Sequence, residues 1–406
     1  MIRYRYGTIA SALLLATTAG DAAFAALAPG DNFAFYLVES LTYDDNLFRL
    51  PDGLGNIEQL IGEGGRRSDY VNRVSAGVDA RWDVGLQAFN LKLMADDNRF
   101  RENDDFDYVS GNGRLSWRWQ LGSNLSGEIG SDYNRALTSF ATNRSQSRDL
   151  LETQNYFADL SYRLGPHWAI KAGARRSETT HSDDVRRGDN FESNTGSAGV
   201  EYRTSNDNTF TLDYRTVNAE FPRSTPFTAD RDYQEDAGNF RWKYQLGSKT
   251  LFDGSVGYLS RTYSDPLSES REFSGDVWHA AVEWAPTVKT QLRIAAYREL
   301  RAYVDAESDY FVAKGASIGP TWAPTQRLAF SLTLAREDQD YIGTSVLGLV
   351  SAGRRDNVTS GQAAAQYQFS QWLAFSLSYR AEQRDSNRPL LEYDDQLANA
   401  SIQLTF

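Results

Sequence analysis

The chain has 406 residues, with 42 Lys and Arg against 54 Asp and Glu, three His and no Cys. A net charge of -12 argues against nucleic acid, which needs a basic face, and the lack of Cys excludes a disulfide scaffold. Aromatic residues reach 13% against only 10 Pro, and with abundant Gly, Ser, Thr and Asn this composition points to an all-β protein.

Met1 to Ala25 reads as a cleavable signal peptide. Arg3 and Arg5 give it a basic start, Ile9 to Ala19 an apolar run, and Ala23-Phe24-Ala25 a small-x-small cleavage site. The run is too short to span a bilayer, so the mature chain, 26–406, is expected to be exported as a single domain.

Phe33 to Thr42 is the first strand candidate. Period-two apolarity then recurs at about 70–82, 85–97, 106–119, 123–134, 152–164, 167–178, 192–203, 208–219, 233–245, 250–262, 273–285, 289–301, 309–321, 327–338, 356–369, 372–383 and 393–406. That predicts eighteen strands, with sixteen as the fallback count. Tight connections are expected near Asp83, Gly122, Gly165-Pro166, Asn206-Asp207, Gly247-Ser248, Ala285-Pro286, Ala323-Pro324 and Ser370-Gln371. Long polar ones fall at 43–69, 98–105, 135–151, 179–191, 220–232, 263–272, 302–308, 339–355 and 384–392. Short and long alternate without a miss. This is the pattern of a closed, antiparallel, up-and-down transmembrane β-barrel in the outer membrane of a Gram-negative bacterium, with short periplasmic turns, longer external loops and both termini periplasmic.

The faces agree. Leu115, Trp117 and Trp119 oppose Asn112, Arg114, Ser116 and Arg118, while Phe240, Trp242 and Tyr244 oppose Asn239, Arg241 and Lys243. Aromatics crowd the tight turns, among them Trp82, Trp168, Trp284, Trp322 and Trp372, where a lipid-facing belt belongs; a soluble sandwich would hold Trp mid-strand. The last strand carries Ala398, Ala400, Ile402, Leu404 and Phe406 on one face. Ile402, Leu404 and Phe406 are therefore expected to form the seam with the first strand and to matter for assembly, with lipid and the barrel-assembly machinery as partners.

The opposite register is charged and implies a wet lumen. Its expected solute path comprises Arg114, Arg118, Arg203, Arg241 and Lys243 with Glu201, Asp213 and Glu283. These cations either steer an anionic solute or polymer, or pair across strands and hold the wall rigid. Inward aromatics such as Tyr108, Phe157 and Tyr297 are too few for a sugar track. Acid pairs at Asp44-Asp45, Asp96-Asp97, Asp104-Asp105, Asp183-Asp184 and Asp394-Asp395 read as a solvated rim without calcium-loop spacing. No metal, cofactor or enzyme activity is expected: His167 sits at a turn, His181 in a long loop and His279 on a strand in the inward register, and no H-E-x-x-H motif occurs.

Leu41-Thr42-Tyr43-Asp44-Asp45-Asn46-Leu47-Phe48-Arg49-Leu50-Pro51, after a signal peptide and a short strand, resembles the opening of EpsL-like outer-membrane barrels of exopolysaccharide operons associated with exosortase B. Asp44, Asp45, Asn46 and Phe48 carry the resemblance. It implies export of extracellular polysaccharide, with a periplasmic polysaccharide-export protein as partner; the alternatives are a general or solute-specific uptake porin, or a structural barrel without a transport role. From the residues alone, Asp44-Asp45-Asn46 suits a tight turn, and Leu47 and Phe48 are placed to tuck the loop against the rim or into the mouth.

Overall fold

The computed structural model describes residues 32–53, 65–142, 147–222, 231–264, 271–302, 310–343 and 353–406. The expected signal peptide lies outside the described residues, as do parts of six of the long loops.

Alternating apolar and polar side chains form eighteen strands: β1 (Phe33–Asp44), β2 (Asp69–Val84), β3 (Gln87–Phe100), β4 (Tyr108–Leu121), β5 (Leu125–Leu137), β6 (Leu150–Leu164), β7 (Trp168–His181), β8 (Phe191–Arg203), β9 (Thr209–Glu220), β10 (Tyr233–Leu246), β11 (Thr250–Tyr263), β12 (Phe273–Thr287), β13 (Thr290–Ala302), β14 (Tyr310–Trp322), β15 (Leu328–Ile342), β16 (Arg355–Gln368), β17 (Leu373–Ser386) and β18 (Tyr393–Thr405). Each pairs antiparallel with the next, and β18 returns to β1. The closing ladder runs from Tyr36↔Thr405 to Asp44↔Leu397. Phe35 and Phe406 extend it by exchanging backbone hydrogen bonds of 3.0 and 2.7 Å. Closure leaves no edge strand, which a barrel in lipid requires.

Strand ends differ from the sequence reading where turn chemistry decides them. β2 runs past Asp83 because the reversal sits at Gly85, whose φ of 61° suits glycine. The turn expected at Ala285-Pro286 lies instead at 288–289. Pro286 cannot donate to the ladder, and the strand continues through an irregularity between Trp284 and Thr287.

Side chains sort by parity. Outward Trp82, Trp168, Trp284, Trp322 and Trp372 are exposed near the tight-turn end. Toward the other end, the outward hydroxyls of Tyr214, Tyr258 and Tyr379 bond Asp236, Ser274 and Gln396 at 2.6, 3.0 and 2.8 Å. Beyond this second aromatic level the outer surface is ionic, as in Arg99 with Asp97 and Arg176 with Glu192. The apolar band between the two aromatic levels is the membrane-facing surface. The strands outrun it on the long-loop side. Packed apolar clusters gather at that same end, inside the mouth.

Candidate functional site

The mouth is built first by the segment that leaves β1. The Asp44 carboxylate accepts the Asn46 N–H at 2.9 Å, and the Asn46 amide bonds both the N–H and the carbonyl of Leu50 at 2.9 Å. The same amide donates to the Asp394 carbonyl on β18 at 2.7 Å, pinning the turn to the closing strand. Arg49 takes a left-handed φ of 55°. That conformation costs roughly 1–2 kcal/mol for a residue with a Cβ, and its guanidinium lies 3.0 Å from Asp44 and 2.9 Å from Asp395. The chain is thereby turned inward. Leu47, Phe48 and Leu50 bury themselves against Phe100, Phe106 and Phe140. Phe48 is 1% exposed, with ring centroids 5.2 Å from Phe106 and 4.8 Å from Phe140.

Three carboxylates meet here, Asp44, Asp45 and Asp395, with oxygens within 4.8 Å of one another. The Arg49 cation already bridges two of them, so the charge a metal would supply comes from the chain itself. Asp394 and Asp395 do not act as a pair: Asp394 is exposed and outward, Asp395 buried and inward.

The β5–β6 connection crosses the mouth. Its base is fixed by Asp149, whose carboxylate accepts from Thr138 Oγ1 at 2.8 Å and the Asp183 N–H at 3.1 Å and meets His181 Nδ1 at 2.6 Å. Burial opposes ionisation of Asp149, but the His181, Thr138 and Asp183 contacts outweigh it and hold the carboxyl at about 2. From this base the connection sends Phe140 into the Phe48 cluster, and the carbonyl of Ala141 accepts a 3.0 Å bond from Arg384 on β17. Between β5 and β17 in the barrel order stand β18, β1, β2, β3 and β4. Residues 138–142 of the connection therefore reach across a chord of the lumen.

Arginines stacked on tyrosines stiffen the rest of this level: Arg354 over Tyr341 at 3.9 Å, Arg261 over Tyr233 at 4.0 Å and Arg384 over Tyr393 at 4.8 Å. Sequence reasoning missed them and named too few inward aromatics. The signal was present, since Tyr233, Tyr341 and Tyr393 share the inward parity at outer strand ends. Their arginine partners lie on other strands or in a loop, and only register brings them together.

Below the mouth, the inward cations divide into two groups. Arg114 and Arg118 are on β4; Arg114 binds Asp132 at 2.7 Å and Glu128 at 3.2 Å, and lies 4.8 Å from the Phe157 ring. Arg118 reaches only Asn90, at 3.3 Å. Arg203, Arg241 and Lys243 form the other group around β9. Arg203 and Lys243 both stand opposite Thr209, and Glu201 and Arg241 both stand opposite Thr211. Arg203 bonds Glu201 at 3.0 Å and Arg241 bonds Asp213 at 2.7 Å, while Lys171 also pairs with Glu201. Glu283 stands apart on β12, paired with Arg293. Among the described residues, the side chains of Arg163 and Lys243 make no hydrogen bond or close ion pair. With Arg118 and Arg203 they form a basic arc in the tight-turn half of the lumen.

The histidines are structural. His181, expected in a loop, ends β7 on Asp149; His167 Nδ1 meets the Arg203 carbonyl at 2.8 Å; inward His279 lies 3.8 Å from Asp253.

Residues 209–406, just under half the chain, match the family described as "Putative beta-barrel porin 2". No curated protein matches. Among solved structures the chain is similar to Pseudomonas aeruginosa OccK2 (OpdF) in complex with glucuronate, at 12% identity and a TM-score of 0.51, covering 92% of this chain and 98% of that one. OccK2 (OpdF) without that ligand gives 12% identity, the same coverage and a TM-score of 0.50. Acinetobacter baumannii OccAB3 gives 11% identity and 0.49, covering 92% of this chain and all of that one. At such identities the likeness is one of fold. The chain has the fold of an integral outer-membrane β-barrel.

These findings correct the expectation of an EpsL-like exopolysaccharide exporter. The family match and the similar barrels are porins, and polysaccharide transport with its periplasmic export partner is set aside. The Asp44-to-Pro51 stretch that carried the resemblance folds as an inward cap on the closing strand. Its Asp, Asn and Phe residues are engaged in holding that turn and its packing.

Proposed function

We propose that the protein is a passive outer-membrane channel for uptake of small hydrophilic solutes, with a preference for carboxylate anions. The observation that carries this reading is the Arg384–Ala141 bond, which holds the β5–β6 connection across the mouth. A connection anchored across the lumen narrows the path to the scale of single solutes.

The anion preference rests on the basic arc. Arg118, Arg163 and Lys243 are engaged in no close ion pair, though Glu128 and Asp253 stand across the ladder from Arg118 and Lys243, and they lie beside Arg203 and Arg241, which Glu201 and Asp213 hold in place. Arg114 is a wall residue in this reading, engaged by two acids. Glucuronate, the ligand in the OccK2 structure, is the first anion to try.

The test is conductance of the purified barrel in planar bilayers under a salt gradient, with swelling of proteoliposomes in glucuronate and in a neutral sugar of similar size. Anion-selective reversal and faster swelling in glucuronate are expected. A closed barrel, or equal rates for the two solutes with no ion preference, would sink the proposal.

A further inference from the structure

The outward face changes character on three adjacent strands. Arg298 stands as far from Thr290 along β13 as Lys314 from Trp322 along β14 and Arg336 from Leu328 along β15. Counted from the tight-turn end, the three cations share one height. That distance along a tilted strand is a rise of roughly 20 Å, close to the apolar band of about 25 Å in outer-membrane barrels. Between the cations and the tight turns the outer face of these strands is apolar, with Ile294, Ile318, Leu332 and Leu334 all exposed.

Register sets the cations side by side. Arg298 pairs directly with Lys314, and Arg336 stands opposite Ala316, one diagonal step from Lys314. Like charges directly opposite on a sheet are destabilising. The acids that offset them all stand on the loop side. Asp276 lies 2.8 Å from Arg298, Asp340 lies 3.4 Å from Lys314, and Asp338 accepts from Asn357. Arg336 is exposed, and among the described residues its side chain makes no hydrogen bond or close ion pair.

Elsewhere this height is not basic. The same count from the tight-turn end reaches Tyr156 on β6, Gly238 on β10 and Tyr258 on β11. Among the described residues one further outward cation stands there, Arg176 on β7, and both Glu178 and Glu192 bond it.

A cation whose acid lies above it keeps donors free toward the lipid surface. Lysine carries three and arginine five, and an anion at that height would complete them. Down this part of the wall the order is acid, cation, apolar side chain. A lipid with phosphate above its acyl chains meets the lower two layers in that order. The long loops mark this end of the barrel as the external one, so the leaflet concerned is the outer one.

We propose that the outward face of β13–β15 binds a phosphorylated lipid of the outer leaflet. Its phosphate sits between Lys314 and Arg336, with Arg298 adding to the field, and its acyl chains lie along Ile294, Ile318, Leu332 and Leu334. Trp278, exposed on β12 opposite Arg298, borders the site as an interfacial aromatic. The site is on the other face of the wall from the solute path and does not depend on the anion preference.

The test is native mass spectrometry of the purified barrel in non-ionic detergent, given either bisphosphorylated lipid A or the same lipid stripped of both phosphates. EDTA is present, so that no divalent cation can bridge a phosphate to Asp276, Asp338 or Asp340. The phosphorylated form should bind roughly tenfold or more tightly than the stripped form. Lys314→Gln with Arg336→Gln should abolish that difference, whereas Arg176→Gln should leave it unchanged. Equal binding of the two lipids to the native barrel would overturn the proposal, and that comparison needs no variant to fold. Undiminished preference in the double Gln variant would also overturn it. So would displacement of lipid A by excess inorganic phosphate, which would mark a site for free anions.

Discussion

Arg384 of β17 donates to the carbonyl of Ala141, 243 residues earlier in the chain, at 3.0 Å. The contact ties two walls of the barrel through the β5–β6 connection, and it makes that connection part of the pore. Replacing Arg384 with Gln shortens the reach and removes the stacking on Tyr393. The barrel should still assemble, but single-channel records should show frequent transitions between two levels where the native channel shows one. Conductance at the higher level should be about twofold larger. A quiet trace at native conductance would show that the connection does not limit flow.

Neutralising the unpaired lumen cations should alter selectivity with little effect on folding. A triple Arg118→Gln, Arg163→Gln, Lys243→Gln variant removes three charges that are engaged in no close ion pair. Its anion-to-cation permeability ratio should fall roughly two- to threefold. The comparison is Arg114→Gln, which strips Asp132 and Glu128 of their shared partner. That change should lower the thermal stability of the folded barrel as well as shift its selectivity, read from heat-modifiable migration on gels and from reversal potentials.

Asp149 makes the base of the crossing connection acid-sensitive. Its carboxyl is held at about 2, below the ordinary aspartate range, so the folded arrangement favours the charged form. Such a group contributes stability that is present above the unfolded value and is lost as pH falls through the folded one. The contribution is about 2 kcal/mol, at 1.36 kcal/mol per unit. Protease cutting of the outer connections should therefore be flat above pH 5 and rise between about pH 4 and pH 2. In Asp149→Asn, cutting should be raised at neutral pH and lose that dependence.

Phe406 completes the closing ladder through its backbone, and its side chain is 68% exposed on the outer face. Its substitution by Ser leaves those backbone bonds available but removes an aromatic ring from lipid. Folded barrel in the outer membrane should drop more than total protein does, measured by heat-modifiable migration. Equal ratios in the two proteins would limit the last residue to a structural end.

The architecture was legible because a barrel wall repeats one rule. A period of two sorts residues such as Trp117 and Arg118 to lipid and lumen, and glycine at Gly85, Gly122, Gly165 and Gly247 marks reversals by its permitted positive φ. For Leu47 and Phe48 the sequence left two courses open, against the rim or into the mouth, and their packing on Phe100, Phe106 and Phe140 follows from the tertiary structure. The borrowed function was another matter. A short segment resembling a family records how a turn is built, and the residues of this one are spent on holding it.

The sequence by itself determined the strands, their two faces, the alternation of short and long connections and the closed wall, since each follows from neighbours along the chain. Only the tertiary structure decided that Arg384 meets Ala141, that Arg203 and Lys243 flank Thr209, and that the β12–β13 ladder ends at Arg298. Those depend on register and on which face of one strand packs against another. A one-residue shift in either sends a side chain to the other face without changing the pattern that predicts the strand.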